Sequence, residues 1–266
     1  MKKTMLLFLC AMLCLLCSCS TEFFELDESQ TNNPSDTSEE TTISTDPVYA
    51  PIPQENLLAT FTDPETGKDM DYHLYVPQNA TEHMPLIIYL HGIGVVGASE
   101  NNEYNPMYVQ ALEAYDEKFP FLILAPSSMY NKTWISGQMP QRVKALIDYI
   151  VAEYKVDPEK IIIAGHSMGA SGVFRQIELY GDFYSAAIPV SVPDVSIIQQ
   201  EKCLDVPIWG FAGSEEAPWN YQMQEMLKSI QELGGNTKYI EMDGVNHAEA
   251  QYCAFLWDVM EWAIAQ

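Results

Sequence analysis

The chain has 266 residues, 37 Asp and Glu against 13 Lys and Arg, and a formal charge of -24. Its 47% hydrophobic and 19% charged content is an ordinary globular balance, enough to bury one sizeable core. So acidic a surface repels phosphate backbones, which excludes nucleic acid as a partner.

The first elements in chain order belong to export rather than to a fold. Lys2 and Lys3 precede a short apolar run, Met5 to Leu16, too short for a membrane span. It ends in Leu16-Cys17-Ser18-Cys19, which resembles a bacterial lipobox and implies cleavage after residue 18 and a lipid anchor on Cys19. Cys17, directly after Leu16, fits that pattern less well, and a plain cleaved signal peptide is the competing reading. Residues 19–55 are rich in Ser, Thr, Asp, Glu, Asn and Pro, and no Lys or Arg occurs between Thr4 and Lys68. Low hydrophobicity with one sign of charge predicts an extended, disordered tether.

From about residue 56 strands and helices alternate. Leu57–Phe61 and Tyr72–Val76 read as a hairpin around Asp63-Pro64-Glu65-Thr66-Gly67. Pro85–Leu90 and Phe121–Ala125 are apolar runs, as for strands covered on both faces. Gln141–Tyr154 has helical spacing, with Val143, Leu146, Ile147, Ile150 and Val151 on one face. Then follow Lys160–Ala164 (strand), Met168–Tyr180 (helix), Ala186–Val190 (strand), Pro207–Phe211 (strand), Tyr221–Leu233 (helix), Lys238–Met242 (strand) and Ala248–Ala265 (helix). The alternation predicts one α/β domain over 56–266, with a mainly parallel central sheet flanked by helices.

Four of the six cysteines (Cys10, Cys14, Cys17, Cys19) lie in or at the end of the export signal. Cys203 and Cys253 remain, and export leaves both a disulfide and two buried thiols open. No HExxH, CxxC pair, P-loop or GxGxxG occurs, so neither a metal nor a nucleotide cofactor is expected.

The chemistry centres on Gly165-His166-Ser167-Met168-Gly169, a G-x-S-x-G between a buried strand and a helix. A serine on so sharp a turn is thrust out of the sheet edge, and its neighbours must be small. The helix behind it offers N–H groups and a positive dipole end. His91-Gly92-Ile93-Gly94, directly after a strand, is a second loop of small residues. The N–H groups of Ile93 and Met168 are the candidate oxyanion donors, against an ordinary glycine turn as the plain alternative.

Together with Pro207-Ile-Trp-Gly-Phe-Ala-Gly213 and the late His247, these motifs resemble the α/β-hydrolase family. Within it the chain is similar to secreted feruloyl esterases, acetylxylan esterases and polyhydroxybutyrate depolymerases. The resemblance covers residue 56 to the end and implies an α/β-hydrolase fold and a Ser–acid–His order of the triad. Ser167 is then the nucleophile. Of five histidines only His247 follows it, and His247 becomes the base. His91 and His166 sit inside the motifs and shape the site, while His73 and His83 read as surface residues.

In the family a histidine-glycine pair leads to an aspartate three residues past the glycine. Here Ala212 replaces the histidine and Glu216 holds the acid position, with Glu215 and Asp194 as alternatives. Trp134 is the resemblance's candidate for lining the substrate pocket, with a packing role as the alternative. The connection Val192–Val206 leaves no room for a large cap domain and implies an open site. The implied partner is an ester substrate, such as acyl esters on plant polysaccharides, and the membrane is met only through the lipid anchor. A serine peptidase of the same fold and a catalytically inactive binding lipoprotein are the other readings; Ala212 and the missing aspartate favour the latter, while an intact Ser167, His247 and glycine loop oppose it.

Overall fold

The computed structural model describes residues 50–53, 55–93, 121–128 and 132–266, all within one compact unit, Pro47–Gln266. The expected lipidation site Cys19, the signal segment 1–18 and nearly all of the tether lie outside the described residues. Among the described residues no helix is long and apolar enough to cross a membrane.

Eight strands form one sheet in the order β1-β2-β4-β3-β5-β6-β7-β8. They are β1 (Glu55–Thr62), β2 (Asp69–Val76), β3 (Leu86–Leu90), β4 (Leu122–Pro126), β5 (Ile161–His166), β6 (Ala186–Val190), β7 (Ile208–Gly213) and β8 (Thr237–Met242). The β1–β2 and β2–β4 pairs are antiparallel, and every other pair is parallel. The hairpin turns where its residues demand it. Asp63 accepts the Glu65 N–H at 3.0 Å and the Thr66 hydroxyl at 2.5 Å, and Gly67 takes φ +64°, a conformation that costs a glycine little.

The apolar runs form strands because helices cover both faces of the sheet. Ile161 and Ile163 join one buried cluster, Ile162 and Ala164 the other. Helices α1 (Met139–Glu153), α2 (Met168–Tyr180) and α3 (Trp219–Glu232) send Leu146, Phe174 and Leu227 into the first cluster. The second is closed by the C-terminal segment.

That segment corrects the expected single helix over 248–265. It is a four-residue helix α4 (His247–Ala250), a 3-10 turn (Gln251–Phe255), an extended Leu256, and then α5 (Trp257–Ile264). Cys253, Ala254 and Phe255 are all buried. Three consecutive residues cannot share one face of an α-helix, so packing them on the sheet tightens and breaks the helix. Cys203 and Cys253 are free and buried; no disulfide joins them. His83 is exposed, but His73 on β2 is half-buried rather than a surface residue, and burial lowers its pKa.

Candidate active site

Parallel register brings several strand ends to one edge. Leu90 pairs with Gly165, His166 with Val190, Val190 with Phe211, and Gly213 with Met242. Residues that leave neighbouring ends therefore meet in space although distant in sequence, as Ser167 and His247 do, 80 positions apart. The carboxyl edge of a parallel sheet is where such folds hold ligands.

Ser167 sits between β5 and α2 at φ 56°, ψ -121°. A non-glycine residue there carries backbone strain of about 1–3 kcal/mol, sustained by its surroundings. Its N–H donates to the Val190 carbonyl at 2.9 Å. The glycines of the motif are dictated by contact. A Cβ on Gly169 would lie 1.8 Å from the Leu90 carbonyl oxygen, and one on Gly165 would lie 2.7 Å from the Gly169 backbone. No side chain fits at either place, so the turn can form only with glycine.

His247 opens α4, where Asn246 caps the helix by accepting the N–H groups of Ala248 and Glu249 and Glu249 reaches back to the Asn246 N–H. This capping box fixes the start of the turn, and hence the imidazole. Nδ1 of His247 lies 2.6 Å from Glu216 Oε2, and Nε2 lies 3.0 Å from Ser167 Oγ. A carboxylate can only accept, so Nδ1 carries the proton and Nε2 is left to accept from the serine hydroxyl.

Glu216 is only 3% exposed. Burial alone would raise its pKa, but bonds from His247, from the Ser191 hydroxyl (2.5 Å) and from the Gly213 N–H outweigh it and hold the carboxyl below its ordinary value. Neither of the other acid candidates bonds the imidazole. Glu215 is exposed. Asp194 is exposed too, and its carboxylate accepts the Ser196 N–H at 2.9 Å rather than facing the imidazole.

Two neutral histidines brace the site. His166 Nε2–H donates to the His247 carbonyl at 2.8 Å; burial, then the nearby His247, lowers its pKa to about 4. His91 Nδ1–H donates to the Gly92 carbonyl at 2.7 Å, while its Nε2 accepts the Ser128 N–H at 3.0 Å. Burial brings His91 to about 4 as well. The loop they shape runs beside the serine: a Cβ on Gly92 would come within 3.5 Å of Ser167 Cβ. Ile93 follows at 72% exposure, and Met168 is the first residue of α2.

A cavity of about 420 Å³ opens over Ser167 and His247, and Ile93, Ile135, Met168, Pro193, Asp194 and Trp219 are among its walls. Trp134 is not, which corrects its assignment to the pocket. It is 1% exposed, its indole N–H donates to the His91 carbonyl at 2.8 Å, and its ring meets His91 edge-on. Gly172 of α2 lies so close that a Cβ there would fall 2.5 Å from the Trp134 Cβ. Trp134 is a buried prop under the His91 loop. The tryptophan of the cavity is Trp219, with its ring centroid 4.0 Å from that of His247. The signal for it was its place three residues past Glu216, at the start of a helix. Ser191 gave no such signal, since only strand register shows that it faces the acid. Among the described residues no cluster of His, Cys, Asp and Glu could hold a metal ion.

Fold and edge geometry together define the α/β-hydrolase fold, an eight-stranded, mostly parallel sheet with helices on both faces. Residues 72–172 match the BD-FAE family model. The chain is 28% identical over 167 residues to the bifunctional acetylxylan esterase/xylanase XynS20E of Neocallimastix patriciarum, covering 60% of this chain and 23% of that protein. It is 23% identical over 148 residues to acetylxylan esterase A of Emericella nidulans, covering 51% and 47%. The chain thus spans from just under a quarter to about half of the length of these relatives. Among solved structures, a thermostable esterase superposes with TM-score 0.70 at 28% identity, covering 79% of this chain and 63% of that one. The feruloyl esterase module of Clostridium thermocellum shares the fold, with TM-score 0.60 at 14% identity over 80% and 93% of the two chains.

Proposed function

We propose that this protein is an exported serine carboxylic-ester hydrolase acting on acyl esters of plant polysaccharides or on other short-chain esters. The observation that carries the reading is the unbroken hydrogen-bonded line from Glu216 through His247 to Ser167.

In this reaction Nε2 of His247 removes the Ser167 proton as the hydroxyl oxygen attacks the ester carbonyl. Glu216 holds the imidazole in the Nδ1–H tautomer and stabilises the imidazolium that forms. The N–H groups of Met168 and Ile93 receive the developing oxyanion, aided by the positive end of α2. The departing alcohol takes its proton from His247. Water, activated by the same histidine, then releases the acid from Ser167.

The substrate class draws on three supports. Relatives carry acetylxylan esterase in their names. The β6–β7 connection, residues 191–207, adds no cap domain and suits a polymer. The lipobox-like Leu16-Cys17-Ser18-Cys19 supports export of the enzyme, with a lipidated Cys19 and residues 19–55 as its tether to a membrane.

Ser167→Ala is expected to lower kcat on p-nitrophenyl acetate by about 10⁶, the loss seen when a triad acts as a unit. A fluorophosphonate should add its mass to the peptide that contains Ser167. Adduct on any other residue, or an active Ala variant, overturns the assignment. Incorporation of labelled palmitate that survives Cys19→Ala would refute the anchor.

A further inference from the structure

One wall of the catalytic cavity has no role in the bond-making steps. Trp219 is the first residue of α3, and its N–H donates to the Glu216 carbonyl at 3.0 Å. Its position is thereby tied to the turn that carries the acid. The ring is half-buried; part of it covers His247, with planes tilted by 40°, and part lines the cavity.

Asp194 lines the same cavity. The Ser171 hydroxyl donates to its carbonyl at 2.7 Å and fixes that loop. Bonds from the Ser196 backbone and side chain hold its carboxyl below the ordinary range, so the side chain is anionic at neutral pH.

The direction of the reaction says which half of a substrate meets these residues. After attack, His247 must return its proton to the oxygen of the departing alcohol. That oxygen lies within hydrogen-bond reach of Nε2, about 3 Å. An indole packed on the same imidazole is therefore placed beside the alcohol half of an ester. We propose that Trp219 and Asp194 form an alcohol-side subsite for a neutral, hydroxylated sugar ring. The apolar C–H face of the ring stacks on the indole, and a ring hydroxyl donates to the Asp194 carboxylate. The fixed negative charge turns away sugars that carry a carboxylate, because like charges brought together in a cavity repel. The inference rests on the esterase reading and adds that selection is made on the alcohol.

The test keeps the acyl group constant and changes the alcohol. Rates of the full chain are measured on methyl acetate, an acetylated methyl xyloside and an acetylated methyl glucuronide. Trp219→Ala should lose about tenfold more kcat/KM on the xyloside ester than on methyl acetate, chiefly in KM, the scale of one apolar contact. Trp219→Phe, which keeps an aromatic face, should recover much of that loss. Asp194→Asn should weaken the xyloside ester and raise the relative rate on the glucuronide ester by about tenfold. Equal losses on methyl acetate and the xyloside ester would mean that Trp219 only props His247, and would overturn the subsite. So would an Asp194→Asn enzyme with an unchanged neutral-to-charged ratio. A wild-type enzyme that hydrolyses none of the three esters, behaving as Ser167→Ala does, removes the esterase reading itself, a result distinct from the other two.

Discussion

Replacing Glu216 by glutamine tests the relay with the least change of shape. The carboxylate accepts three hydrogen bonds, from His247 Nδ1–H, the Ser191 hydroxyl and the Gly213 N–H. The amide has one acceptor oxygen and a donor NH₂. With its oxygen kept on Ser191 and Gly213, its NH₂ faces Nδ1 of His247. Nδ1 must then accept, which moves the ring proton to Nε2, the atom 3.0 Å from Ser167 Oγ. Nε2–H then donates to the Ser167 hydroxyl instead of accepting from it, and the base is lost. The wrong tautomer in such a triad costs about 10⁴ in kcat, or roughly 5 kcal/mol of barrier. Glu216→Asp keeps the charge but is shorter by one methylene, so the 2.6 Å contact lengthens unless the loop follows. Its loss should be smaller, on the order of 10²-fold. The assay is kcat at saturating p-nitrophenyl acetate, with near-UV circular dichroism to show an intact fold. A folded Glu216→Gln enzyme with a tenth or more of wild-type kcat would refute the argument. Glu215→Gln and Asp194→Asn should each stay within about threefold of wild type on that small ester, because neither carboxylate faces the imidazole.

Gly169→Ala forces a Cβ to within 1.8 Å of the Leu90 carbonyl. The expected cost is about 3 kcal/mol or more, read as a lower urea midpoint; an unchanged midpoint would mean that the turn is not as tight as described. Stability should fall with acidification between the ordinary histidine value of 6.5 and about 4, because unfolding lets His91 and His166 take up protons that burial denies them. Each contributes roughly 3 kcal/mol that is fully present above pH 6.5 and gone below pH 4. The slope of the urea midpoint over that window should flatten in His91→Gln, and an identical slope would count against a buried neutral His91. Burial pushes the Cys203 and Cys253 thiols up to about 12, so Ellman's reagent should find them only after unfolding, and reductant should leave the melting temperature unchanged.

Much of this protein is local, and local features are legible in a sequence. Buried strands such as Ile161–His166 read as continuous apolar runs, because a sheet covered on both faces admits nothing else. The turn at Ser167 announces itself through Gly165 and Gly169, because backbone crowding leaves no other residue type there. Other features depend on where distant segments meet. No periodicity tells whether Glu215 or Glu216 points inward; the register of β7 against β6 and β8 does, since it sets Gly213 and Ser191 around one of the two. Trp134 and Trp219 are equally aromatic in the chain, yet one is walled in by Gly172 and the His91 carbonyl while the other opens on the cavity. Nor does a glycine or proline mark the break between Gln251 and Leu256, which arises because three neighbouring side chains must all reach the same sheet. Residue types and spacings therefore determine which groups can react. Side-chain direction, set by packing across the sheet, determines which of them meet.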